Sequence, residues 1–208
     1  MIYLWVQGEG WKEFELTDTE ALKERGISID ARVTISAGAF IGAGATIREL
    51  ATIGAGAFIG ERATINARAT IGRGATIHKG ATINAGAFIG EGAFIDVRAT
   101  IGIDATVGRG ATIKARAFIG RGAVIGDYEK PTCIYITGTK FPVSYWGEDR
   151  IDIGCESLSI NNWLGKGGKK QAAKENFSET EIAEYKRYIK FIKQVHEASK
   201  PAADKGKT

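Results

Sequence analysis

From residue 29 to residue 125 an aliphatic side chain returns at every sixth position without insertion or deletion: Ile29, Ile35, Ile41 and onward to Ile113, Ile119 and Ile125, with Val107 the single valine. Two residues before each, from Ile41 on, stands an alanine (Ala39 through Ala123); Ile27 and Val33 hold that place in the first two units. Between the pair sits one residue, usually Thr or Phe, and three turn residues complete the unit. A period of six is neither helical nor that of an amphipathic strand. It predicts a solenoid whose unit is one short strand and one turn. In extended backbone alternate side chains share a face, so Ala and Ile point inward and the residue between them outward. The aliphatic residue is followed most often by Gly. Gly or Asn at that place suits a tight turn with positive φ, whereas Arg48, His78 and Lys114 there imply more than one kind of turn.

The pattern resembles the hexapeptide-repeat family of left-handed parallel β-helices, whose unit reads [LIV]-G-x-x-[STA]-x, and it does so over seventeen tandem units, roughly half of the chain. The resemblance implies three strands per triangular coil and eighteen residues per turn. It also implies a left-handed crossover, against the right-handed rule for ordinary parallel connections. Phe40, Phe58 and Phe94, 18 and 36 residues apart, agree with that coil. The expected fold is therefore an all-β solenoid, a left-handed parallel β-helix of about five to six triangular coils over residues 29–128.

The flanks break the repeat. Residues 1–28 open on an apolar strand, Ile2-Tyr3-Leu4-Trp5-Val6, and continue to a short helix for which Thr17 and Glu20 fit a capping box and Gly26 a stop. Such an N-terminal cap would shield the open edge of the first coil from end-to-end association. After Tyr128 a β/α appendage is expected over 129–164, with short strands at Cys133–Ile136, Phe141–Trp146 and Ile151–Ile153 and a helix capped by Ser159. The Gly- and Lys-rich stretch 165–177 reads as a linker, 178–200 as a helix with a Ser178/Glu181 capping box, and 201–208 as a disordered tail. Ile182, Tyr185, Ile189 and Ile192 form an apolar stripe on that last helix, which must bury against something.

Composition narrows the field. The repeat region carries eleven Lys/Arg against seven Asp/Glu, the flanks 17 of each, and no basic stripe interleaved with aromatics emerges, so no nucleic-acid partner is expected. No run approaches a membrane span and no secretory signal precedes the fold; no membrane partner is expected, and the expected location is cytoplasmic. Cys133 and Cys155 fall in different predicted strands and could pair, although a reduced pair suits a cytosolic protein better.

The family's chemistry sets the tests for a site. Resemblance to the hexapeptide acyltransferases implies a histidine base that takes a proton from an acceptor hydroxyl or amine as it attacks an acyl-CoA thioester. Resemblance to the γ-class carbonic anhydrases implies three zinc-binding histidines at a subunit interface. The chain has two histidines. His78 follows the inward Ile77 in the turn His78-Lys79-Gly80, where side chains are expected to face water. His196 lies near the end of the last helix, where a cation suits the helix dipole. The repeated Gly-x-Gly is punctuation rather than a phosphate cradle.

Sorted by coil position, the outward residues form three columns. Thr34, Thr52, Thr70, Phe88, Thr106 and Val124 make the first, and Phe40, Phe58, Thr76, Phe94 and Thr112 the second. Thr46, Thr64, Thr82, Thr100 and Phe118 make the third. The third is a threonine ladder in single rank, and the second presents phenylalanines. An exposed Phe column marks an interface, so a homotrimer packed through Phe40, Phe58 and Phe94 is expected, the C-terminal helix being the other possible cover. The uniformity of the repeat, set against irregular flanks, points to an idealised or engineered member. The function expected is a non-catalytic, self-associating structural scaffold with no catalytic residue, cofactor, metal or small-molecule substrate. The alternatives are an acyl-CoA-dependent acyltransferase of the hexapeptide type and a lattice (ice) binder working through the Thr face.

Overall fold

A computed structural model describes residues 1–127, 129–147 and 149–199; Tyr128, Glu148, Lys200 at the end of the expected last helix, and the expected tail 201–208 lie outside the described residues. The chain divides into two compact units, Met1–Pro131 and the chain from Thr132 on. In the first, strands β3 to β19 are two residues long, one per hexapeptide, from Ser28–Ile29 to Val124–Ile125. They stack in parallel into three sheets, each strand pairing with the one eighteen residues on, as Thr76 does with Phe94 and Ile77 with Ile95. The protein is a left-handed parallel β-helix of five to six coils, and the three outward columns are those the spacing predicts. Ile71, Ile77 and Ile83 lie on three different sheets, all essentially without exposure, and the alanines from Ala39 to Ala111 are completely buried. Small Ala and large Ile alternate along each inward edge, which suits a narrow, close-packed prism.

The turns differ from the expectation in a specific way. Positive φ belongs to the third turn residue, not the first: Gly74 has φ of 62° and Arg62 φ of 55°. The glycine directly after the aliphatic residue answers a different demand. A Cβ on Gly72 would stand 2.6 Å from the backbone N of Glu91 in the next coil, so the stacked turns approach too closely there for any side chain. Where the first residue is Asn the turns are tied by a side-chain ladder: Asn66 Nδ2 donates to Asn84 Oδ1 at 3.4 Å, and Asn84 Nδ2 to the Ile101 carbonyl at 2.8 Å.

An antiparallel hairpin, β1 (Ile2–Val6) and β2 (Gly10–Phe14), extends the phenylalanine sheet: β1 runs parallel to the first Phe strand with Tyr3 opposite Phe40, burying Ile2 and Leu4. Helix α1 (Thr19–Glu24) follows, capped by Asp18 rather than Thr17, the Asp18 carboxylate accepting from Ala21 N at 3.0 Å.

The second unit is an antiparallel sheet, β20 (Ile134–Thr137), β21 (Pro142–Tyr145), β22 (Ile151–Ile153) and β23 (Glu156–Leu158), in that order. Three helices follow: α2 (Ile160–Leu164), α3 (Lys166–Lys174) and α4 (Glu179–Ser199). The stretch expected to be a linker is thus mostly helical. Gln171-Ala172-Ala173-Lys174 are strong helix formers, and Gly167 and Gly168 give α3 the clearance to pack beside α2, where a Cβ on Gly168 would collide with the Trp163 carbonyl. Ser178 and Glu181 cap α4 reciprocally, Glu181 accepting from Ser178 N at 2.7 Å and Ser178 Oγ from Glu181 N at 3.2 Å. The apolar stripe of α4 packs within its own unit: Tyr185, Ile189 and Ile192 join Val143, Tyr145, Ile151, Ile153, Ile160 and Trp163 in one core. No disulfide joins Cys133 to Cys155.

Candidate functional site

The corner that follows the phenylalanine sheet stacks five turns, 42–44, 60–62, 78–80, 96–98 and 114–116. They are joined by backbone bonds such as Gly80 N to Glu61 O at 2.9 Å and Arg98 N to Lys79 O at 3.1 Å. His78 sits in the middle. Its backbone is fixed by bonds from its own N to Ile95 O at 2.8 Å and from Ala81 N to its O at 3.1 Å. The imidazole does not stand free in water as expected for a turn residue. It is half-buried, leaning over the outward sheet face with its ring centroid 4.6 Å from Phe94 and 6.4 Å from Phe58. Thr76, the residue between those two phenylalanines in the column, leaves the space that the imidazole takes.

This corner concentrates positive charge. Its turns contain Arg62, Lys79, Arg98, Lys114 and Arg116 against Glu61 and Asp96. Lys79 Nζ reaches Glu61 at 2.8 Å, and that hydrogen bond holds the Glu61 carboxyl below its ordinary range; Arg62 lies 3.5 Å from the same group. Asp96 accepts from Val97 N at 2.6 Å. Arg98, Lys114 and Arg116 are exposed and have no carboxylate partner among the described residues, so the lower half of the corner offers three uncommitted cations, the setting that recruits phosphate. Arg98 and Arg116 hold φ of 57° and 60°, a left-handed conformation that costs a non-glycine residue about 1–2 kcal/mol.

Phe40, Phe58 and Phe94, the expected interface residues, are aligned on one sheet and half-buried. Much of their cover is the chain's own hairpin: Tyr3 stacks on Phe40 at 4.7 Å, and Trp11 meets Phe40 and Phe58 edge-on at 5.3 and 5.5 Å. Sequence reasoning missed Tyr3, Trp11 and His78 as neighbours of the column, although the strand Ile2–Val6 and the eighteen-residue register together contain the signal.

His196 is far from a mere helix-end cation. Its Nδ1 lies 2.9 Å from the hydroxyl of Tyr145, a completely buried residue, with the rings edge to face. Burial pushes the Tyr145 phenol upward, so it keeps its proton and can donate it to Nδ1. This pair belongs to the C-terminal core. Among the described residues no group of three or more His, Cys, Asp or Glu is placed to hold a metal ion. No helix there is long and apolar enough to cross a membrane.

Residues 50–85, which include His78, match the family model described as "Bacterial transferase hexapeptide (six repeats)". A search of curated proteins returned no match. Among solved structures the chain is similar to the acetyltransferase domain of PglB from Neisseria gonorrhoeae in complex with acetyl coenzyme A, at 20% identity, over 53% of this chain and 54% of that one, with a TM-score of 0.32. It is also similar to a mutant GDP-perosamine N-acetyl transferase from Caulobacter crescentus in complex with CoA and GDP-perosamine, at 23% identity, over 49% and 51% of the two chains, TM-score 0.35. A third is the UDP-N-acetylglucosamine acyltransferase from Campylobacter jejuni, at 16% identity over 78% and 79%, TM-score 0.28. The chain spans about half the length of the first two. The hexapeptide repeat is thus matched by the transferase model over residues 50–85, and that match corrects the expectation of a non-catalytic scaffold.

Proposed function

We propose that this protein is an acyltransferase that moves an acyl group from a CoA thioester to a hydroxyl or amine acceptor, with His78 as the general base. The observation that carries the reading is the position of His78. It is the β-helix's one histidine, within the segment matching the transferase hexapeptide model, half-buried against Phe94 on the most basic corner of the coil. A ring nitrogen of the imidazole takes the proton from the acceptor as its oxygen or nitrogen attacks the thioester carbonyl. The carbon–sulfur bond then breaks, and the CoA thiolate leaves with a proton returned from the imidazolium. Arg98, Lys114 and Arg116 would hold the phosphates of CoA, and the aromatic wall of Phe58 and Phe94 would exclude water from the imidazole.

A homotrimer fits the same reading. Phe94 lies beside the base and beyond the reach of Tyr3 and Trp11, so packing a second copy on that part of the column would turn an open corner into a cleft. The test is thiol release from acetyl-CoA with a panel of amino sugars, sugars and simple amines. Turnover that His78→Asn lowers by about a hundredfold or more, with the fold unchanged by circular dichroism, supports the assignment. Turnover that His78→Asn leaves intact overturns His78 as the base.

A further inference from the structure

The C-terminal unit holds a cavity of about 250 Å³ that the acyl-transfer reading does not use, and it is open to solvent on one side. Residues of the consecutive helices α3 and α4 line it, with Ile153 of the sheet and Trp163 of α2. Aliphatic and aromatic side chains are mixed around the space, Ile182 and Ile189 beside Tyr185, so it offers apolar volume rather than a fit to one ring shape. Trp163 Nε1 and the Tyr185 hydroxyl are already engaged, donating to Ile151 O and to Phe141 O, each at 2.7 Å. Four charged residues also line the cavity, and they are not equivalent. Glu156 and Glu175 both face Lys174, whose Nζ lies 2.8 Å from the first carboxylate and 3.7 Å from the second. Lys169 and Lys186 are exposed and have no carboxylate partner among the described residues. Their methylene stems extend the apolar surface while the ammonium groups stay on the water-facing side. The cavity thus has two committed carboxylates and two uncommitted cations.

We infer that this cavity binds a single alkyl chain ending in a carboxylate, the chain lying among the apolar side chains and the carboxylate on Lys169 and Lys186. The charge selects the head group. A carboxylate meets two donors that no acidic group of the fold engages, and charge-assisted hydrogen bonds are the stronger kind; a cationic or neutral head would leave the ammonium groups without an ionic partner. The volume sets the chain. An apolar cavity of ~150 Å³ takes up benzene, so at the same allowance per carbon 250 Å³ holds about ten carbons. Each methylene moved from water into the space adds to binding, which favours the longest chain that fits. Because the cavity is open on one side, entry requires no element to move. Acyl transfer at His78 is not required either, since His78 belongs to the other compact unit, and each assignment stands or falls alone.

Octanoate, 1-octanol and butyrate separate head from chain. Isothermal titration of the full chain should show saturable binding of octanoate, with 1-octanol weaker by about tenfold and butyrate weaker by about a hundredfold or more. The double variant Lys169→Gln/Lys186→Gln changes two exposed residues and should keep its fold. It should bind octanoate only as well as 1-octanol, with the affinity for 1-octanol unchanged. Ala172→Leu, which narrows the cavity, should weaken octanoate and 1-octanol alike by about tenfold or more. If Ala172→Leu fails to fold, the double variant and the chain-length comparison decide alone. No saturable binding of octanoate, equal affinity for octanoate and 1-octanol in the unaltered protein, or butyrate bound as tightly as octanoate would each overturn the assignment. So would a preference for octanoate that survives the double variant, or undiminished binding to a folded Ala172→Leu.

Discussion

The two units of this chain spend their polar and apolar groups in opposite ways. In the β-helix each residue meets its counterpart one coil away, so a single local rule repeated seventeen times fills the core and leaves no buried side-chain polar atom unpaired among the described residues. In the C-terminal unit the core joins residues as distant as Val143 and Ile192, and all three buried, unpartnered side-chain atoms lie there: Trp146 Nε1, Asp152 Oδ1 and Gln171 Oε1. Repetition gives a solenoid freedom from such exceptions, at the expense of concave, chemically varied pockets. The β-helix therefore offers outer corners, whereas the C-terminal unit contains a cavity.

Core truncation should test that contrast with the largest effect. Ile77→Ala should destabilise the β-helix by about 2–4 kcal/mol in chemical denaturation, because the neighbouring coils cannot collapse into the space. In the C-terminal unit the corresponding sensitivity is polar. Tyr185→Phe removes the hydroxyl that serves Phe141 O, Lys140 N and Phe141 N, and should cost about 1–3 kcal/mol, read in the same way. A cost near zero would show that the link from α4 to the loop at Lys140 is not structural.

Smaller effects probe the turns. Arg68 holds φ of 61°, so Arg68→Gly exchanges left-handed strain for backbone entropy and should raise stability by about 0.5–1 kcal/mol, whereas Gly72→Ala should lower it through the clash with the Glu91 backbone. The smallest is a pH effect. Burial raises the Asp152 carboxyl above its ordinary value, so folding favours the protonated form. The penalty is absent below the unfolded value near 4, grows as pH rises through it, and is complete above the raised folded value. Asp152→Asn should therefore be more stable than the parent at pH 7, with the advantage shrinking toward pH 3. An unchanged difference across that range would contradict the assignment.

The β-helix was open to sequence reading because its information is periodic. Ile71, Ile77 and Ile83 could be assigned to three faces by counting, and so could the alignment of Phe40, Phe58 and Phe94. The turn chemistry was misplaced because Gly recurs for two reasons: close coil approach at Gly72 and positive φ at Gly74. Only the stacked backbone separates them. A turn residue has no partner visible in one dimension, so the sequence alone points His78 to solvent; the corner it shares with Arg98, Lys114 and Arg116 exists only once coils stack. Helix α3 was hidden by Gly167 and Gly168, whose role is clearance for α2 rather than flexibility.

Titration of CoA itself tests the central assignment, a phosphate-holding corner beside His78, most directly. Arg98→Gly and Arg116→Gly suit the left-handed backbone at both sites, so the double variant should keep its fold while losing two cations. Calorimetry should show saturable CoA binding by the parent that weakens as salt rises, and an affinity lower by about tenfold or more in the double variant. Equal affinity in the two proteins, or no CoA binding by the parent, would contradict the account.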